Sequence, residues 1–189
     1  MISMSFGFPS RHIDRYESLE RSLKIASGQN VLLFAAASNN GANTLRAFPA
    51  RHESVICIHS TDANGVPSPF NPRPIKGDNF ATVGEAVESS WPVHLCDTQD
   101  NELCIAYKTG TSFATPIATA IGAFLLQYAR MKLPTEKAER LKQTESMKAL
   151  LREISVPHKE YDYIALSRNP DTFFGKSDTF IKERMGDIL

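Results

Sequence analysis

The chain has 189 residues, with 42% hydrophobic and 22% charged residues, the size and mix of one soluble globular domain with a real core. Lys plus Arg and Asp plus Glu both total 21, so the formal charge is zero and charge gives no support for a nucleic-acid or anionic-membrane partner. The first residues, MISMSFGFPSRHIDRYE, show neither a signal-peptide pattern nor a membrane span, and the three cysteines (Cys57, Cys96, Cys104) match no zinc spacing. These features lean toward a reducing, intracellular setting.

In chain order, Ile2 to Phe6 reads as a short strand stopped by Gly7 and Pro9. Ile13, Tyr16, Leu19, Leu23 and Ala26 recur at three- and four-residue steps, which predicts an amphipathic helix ended by Gly28. VLLFAAA (31 to 37) and SVICIHS (54 to 60) are continuous apolar runs closed by turn residues, the pattern of strands covered on both faces. Strand, helix, strand, strand argues for an α/β domain with a mostly parallel sheet flanked by helices.

Residues 61 to 93 read as loop with a short apolar piece from Phe80 to Val87, and VHLC and LCIAY flank DTQDNE as a β-hairpin. From Ser112 to Met131 the chain is apolar nearly all round, a core helix. Beyond Pro134 it becomes charged, with two amphipathic helices marked by Leu150, Leu151 and Ile154 and by Phe180, Ile181, Met185 and Ile188. The chain thus divides into a core of about residues 1–131 and a helical closing segment, 132–189. GKS at 175 to 177 is no phosphate-binding loop, because Pro170 stands where the motif needs its first Gly.

Two stretches carry chemistry. GTSFATP (110 to 116) leads into the core helix, and its Ser112 is either a helix cap or a nucleophile at the positive helix end. AAASNNG (35 to 41) ends the first buried strand, and its asparagines are either turn residues or a fixed amide donor for an oxyanion.

SFG (5 to 7), AAASNNG and GTSFATP stand in one order, and in that order the chain resembles the subtilisin-like serine peptidases, the subtilases. These carry a substrate strand ending Ser-x-Gly, an Ala-Ala-Gly-Asn turn and Gly-Thr-Ser-x-Ala-x-Pro. The resemblance covers about residues 1 to 131 and implies an α/β subtilisin-like fold, matching the C-terminal two-thirds of the catalytic domain.

It implies Ser112 as nucleophile, Asn39 and the Ser112 N–H as oxyanion hole, Ser5, Phe6 and Gly7 as the strand that pairs with peptide, and Ala36, Ala37 and Ser38 as pocket lining. Gly110 lets the chain turn sharply, Thr111 completes the motif, Ala114 lets the helix sit close to the sheet, and Pro116 is expected in the first helical turn. The implied partner is a peptide or protein substrate, and calcium is possible by family with no site identifiable.

Two departures stand out. Ser38 replaces the usual Gly before the oxyanion Asn. Subtilases carry the catalytic Asp and His ahead of the segment matching SFG, and neither Asp-Ser/Thr-Gly nor His-Gly-Thr occurs in these 189 residues. A preceding segment of a longer chain is the expected source of both, and otherwise the expectation is an inactive fragment or pseudoprotease that binds peptide. Of His12, His52, His59, His94 and His158, His59 lies near the end of a strand pointing toward the site, but none is assigned as the base.

Overall fold

A computed structural model describes residues 1–9, 14–96, 103–164, 173 and 175–189. A six-stranded sheet runs β1 (Ile2–Met4), β2 (Leu33–Ala36), β3 (Val55–Thr61), β4 (Phe80–Val83), β8 (Tyr161–Ile164), β7 (Ser155–His158). Every pair is parallel except β8 with β7.

The central strands are apolar on both faces because both faces are covered. Phe34, Ile56, Ile58 and Phe80 pack with Ala114, Ala118, Ile121 and Leu125 of α2 (Thr111–Lys132) in the main core. Alternate positions Leu33, Ala35, Val55 and Cys57 point the other way and meet Leu23 of α1 (Tyr16–Gly28) and Phe48. By length and apolarity alone α2 could cross a bilayer; here Ala114, Ala118, Gly122, Leu125 and Ala129 turn its buried face onto the sheet.

The charged region after Pro134 is more than a helical closure. Between α4 (Thr144–Glu153) and α5 (Asp178–Ile188) the chain forms the β7–β8 hairpin, and β8 joins the main sheet beside β4, pairing Phe80 with Asp162 and Ala81 with Tyr163. Ser155 to Ile164 shows no long apolar run, so its strand character is hidden until β4 offers an edge. Pro157 is tolerated because β7 is the outermost strand. A short helix, α3 (Thr135–Arg140), links α2 to this part.

The other hairpin also differs from expectation. It pairs β5 (Val87–Ser90) with β6 (Ile105–Lys108), while Val93–Leu95 form a 3₁₀ turn after Pro92. Pro92 fixes its own φ and offers no ladder donor, which ends β5 before VHLC. The expected hairpin turn at 97–102, like His12 and Ile13, lies outside the described residues. Cys96 and Cys104 are joined as a disulfide, whereas Cys57 is a free thiol in the core that burial pushes up to about 11. At the C-terminal end, Ser177 of the GKS triplet caps α5, accepting from Phe180 N–H at 3.3 Å.

One edge stays bare. β1 has no neighbour beyond it among the described residues, with Ile2 45% exposed, and α2 beside it shows solvent a stripe of Pro116, Ala120, Ala123 and Phe124, the last 56% exposed. Unpaired strand edges next to apolar surface promote association between chains. The 189-residue chain is therefore expected to self-associate in sedimentation velocity, with Ile2→Lys and Phe124→Lys each shifting it toward monomer; a monodisperse wild-type monomer would contradict this.

Candidate functional site

The site forms where the carboxyl ends of β1 and β2 meet the start of α2, the usual place for ligands on an open parallel sheet. Gly110, just before α2, has φ 150°, and a Cβ there would stand 2.9 Å from Asn39 Nδ2. Its N–H donates to Gly84 O at 2.8 Å, and a Cβ on Gly84 would lie 2.5 Å from Ser60 Oγ and 2.9 Å from Gly110 O. Only glycine at both positions lets β4, β2 and the helix start approach this closely.

Asn39 is held from one side. Its Oδ1 accepts from Thr111 N–H at 2.9 Å and from Thr111 Oγ1 at 3.0 Å. Thr111 thus serves a purpose beyond completing the motif: its N–H, a free donor of the helix start, is satisfied by Asn39, and with its hydroxyl it aims the amide. With Oδ1 engaged, Asn39 Nδ2 stays available as a donor. The Ser112 N–H, another first-turn donor, has no acceptor among the described residues.

Ser112 and Ser5 are locked reciprocally. Ser112 Oγ donates to Ser5 O at 3.2 Å, and Ser5 Oγ donates to Ser112 O at 2.7 Å. Pro116 explains the second bond, with a correction to the sequence reading: it is the sixth residue of α2, beyond the first turn. There its missing N–H deprives Ser112 O of the i+4 partner it would otherwise have, and the Ser5 hydroxyl takes that place. Ala114 is fully buried against the sheet, in contact distance of Gly84.

Beside Ser112 opens a cleft of about 210 Å³ lined by Phe6, Gly7, Ala36, Ser38, Asn39 and Ser112 among others. Gly7 is needed there, because a Cβ would fall 2.6 Å from that of Ala47. Ala37 does not line this cleft. It is wholly buried in the α1-side core, donating to Ile58 O at 3.0 Å and accepting from Ala47 N–H at 2.7 Å, so it supports the wall from behind.

The histidines of the described residues lie elsewhere. Ser60 of β3 faces α2 through Gly84, so alternation turns His59 to the opposite face. There it is fully buried, 3.8 Å from Cys57 Sγ and edge-on to Tyr161, and burial first, then the Arg46 guanidinium, hold it well below its ordinary value. His52 bonds Ser54 Oγ at 2.7 Å, His94 sits in the 3₁₀ turn and His158 in the outermost strand. Among the described residues no group of three or more His, Cys, Asp and Glu could hold a metal ion.

The start of α2 with Ser112, the tethered Asn39 amide and the adjoining cleft thus lie together at one end of a parallel α/β sheet. The subtilase family model matches residues 1–175, and the chain belongs to that family. It is 29% identical over 131 residues to the subtilisin-like protease het-Q2 of Podospora anserina, covering 68% of this chain and 34% of that protein. To M-protease of Shouchella clausii it is 28% identical over 125 residues, 66% of this chain and 29% of the relative.

In three dimensions it resembles the protease domain of PatA (TM-score 0.65, 25% identity, 84% of this chain and 53% of that one) and the prenylagaramide maturation protease PagA (0.64, 22%, 96% and 57%). The chain thus spans about a third of the curated relatives it matches and rather more than half of these structures.

Ser38, which stands where the family usually has Gly, carries a backbone cost. Its φ is 134°, a region that suits glycine, although its N–H reaches Thr111 Oγ1 at 3.4 Å and its Oγ accepts from Asn40 N–H at 3.3 Å. Ser38→Gly is expected to stabilise the fold by about 1 kcal/mol in urea unfolding, the relief of one strained residue less the single long hydrogen bond its hydroxyl accepts, since the backbone N–H to Thr111 is kept.

His59 generates a pH dependence of definite sign. Its folded pKa is depressed, so the unfolded chain takes up a proton that the native state refuses, and stability falls as pH drops below the ordinary value of 6.5. His59→Phe should flatten urea midpoints between pH 6.5 and about 5 relative to wild type.

Proposed function

We propose that this chain carries the nucleophile and oxyanion part of a serine endopeptidase site. Ser112 Oγ attacks the scissile carbonyl of a peptide, and the oxyanion is held by Asn39 Nδ2 and the Ser112 N–H at the positive end of α2. Ser5, Phe6 and Gly7 bind the peptide backbone by strand addition, and Ala36 and Ser38 shape the pocket for the side chain before the cut. The single observation that carries this reading is that Ser112, Asn39, Phe6 and Gly7 share one cleft while neither oxyanion donor has a protein acceptor among the described residues.

Attack needs a base within hydrogen-bond reach, and Ser112 Oγ here donates to the Ser5 carbonyl, which cannot serve as one. The base and the carboxylate that orients it would come from polypeptide beyond these 189 residues, packing a strand on the β1 edge and a helix on the exposed stripe of α2. Without it, the cleft acts at most as a peptide-binding module. The same bond between Ser112 and Ser5 favours this second reading for the chain in isolation.

The Cys96–Cys104 disulfide bears on setting. Such bonds persist where thiols are not kept reduced, which supports an oxidising compartment rather than the reducing one expected from composition.

A fluorophosphonate probe tests the site. The chain alone should label no faster than Ser112→Ala, and added imidazole should accelerate labelling at Ser112 only. Asn39→Ala should then lower the imidazole-supported rate about 10²- to 10³-fold, the usual loss for one oxyanion donor. Rapid labelling without imidazole would place a base inside the chain, and imidazole-supported labelling indifferent to Asn39 would sink the oxyanion assignment.

A further inference from the structure

A second cavity, of about 440 Å³, shares no lining residue with the Ser112 cleft. Arg46 is set in its wall and is only 7% exposed. Its hydrogen bonds run from Nη2 to two neutral acceptors, Asp78 O and Asn79 Oδ1, while Nε has no partner among the described residues. A guanidinium does not lose its proton, so this is a buried positive charge with no carboxylate against it among the described residues.

The surroundings add cations rather than cancel them. Asp78 is engaged by Lys148 at 3.1 Å and by Arg152, and Glu145 by Lys148 at 2.9 Å. Left over along the wall are Arg51, whose Nη1 reaches Pro9 O at 3.4 Å while Nε and Nη2 are buried without partners among the described residues, and Lys76; of the three lining carboxylates, Asp78 and Glu145 are taken by Lys148 and Arg152, which leaves Glu53. An uncompensated buried charge is costly, and a counter-ion would recover much of that cost. Leu45, Val55 and Ile75 line the rest with apolar surface.

We propose that this cavity binds a small organic anion, whose carboxylate or phosphate group sits between Arg46, Arg51 and Lys76 and whose apolar body lies against Leu45, Val55 and Ile75. The site is independent of the Ser112 chemistry. Guanidinium groups suit this work because they offer parallel N–H donors to planar or tetrahedral oxyanions. Occupation would hold the Leu45–Arg51 and Ile75–Asn79 segments together, and both border strands of the sheet.

The experiment is a thermal unfolding series on the full 189-residue chain with hexanoate, inorganic phosphate, hexanol and chloride at matched ionic strength. Hexanoate, phosphate or both should raise Tm progressively with concentration while hexanol and chloride do not; the stronger of the two anions identifies the head group. Arg51→Gln and Lys76→Gln should each weaken the apparent affinity about tenfold, as loss of a charged hydrogen bond does. Arg46→Met should abolish the shift. If that variant does not fold, the two others still decide. No shift from either anion in the wild type, or shifts of equal size in Arg51→Gln and Lys76→Gln, would overturn the proposal.

Discussion

The hydrogen bond from Thr111 N–H to Asn39 Oδ1 is the contact on which the rest of the site depends. It ties the turn after β2 to the first residue of α2 and satisfies a donor that every helix start leaves open. It also decides which end of the Asn39 amide faces outward. For the two backbones to come this close, nothing larger than hydrogen can stand at Gly110 or Gly84. The two glycines and the one asparagine are therefore a single device, and substituting any of them disturbs the others.

Pro116 extends the device to β1. By removing one rung of the helix it frees the Ser112 carbonyl for the Ser5 hydroxyl, so the Ser112 backbone is anchored to the strand proposed to bind peptide. A proline past the first turn ordinarily weakens a helix. Here the lost bond is replaced by a tertiary one, and the helix start is registered against the sheet. The arrangement fixes the Ser112 hydroxyl while keeping its carbonyl hydrogen-bonded.

The Ser112 cleft and the Arg46 cavity stand in contrast. The Ser112 cleft is built from backbone donors and small side chains, which suits a neutral peptide whose charge develops only during reaction. The Arg46 cavity is built from permanent charge held away from water, which suits a ligand that arrives ionised. They also lie against different parts of the sheet, so the family chemistry leaves the second one unexplained.

Much was legible in the sequence. The continuous apolar runs at 31 to 37 and 54 to 60 announce strands covered on both faces, since burial on two sides demands apolar residues at odd and even positions alike. GTSFATP marks the helix start by local means, because the sharp turn and the close packing each need a particular small residue at a fixed place, although no side chain of the motif caps the helix. What only the tertiary structure decided is whatever depends on a distant neighbour. β8 becomes a strand because β4 offers it an edge, and Ala37 turns to the core because Ile58 and Ala47 claim its backbone. His59 faces away from Ser112 because strand alternation, counted from Ser60, sends it to the other side. Arg46 is an ordinary basic residue in the sequence; its isolation as a buried charge follows from Lys148 and Arg152 taking the nearby Asp78 carboxylate, a competition that no local pattern encodes.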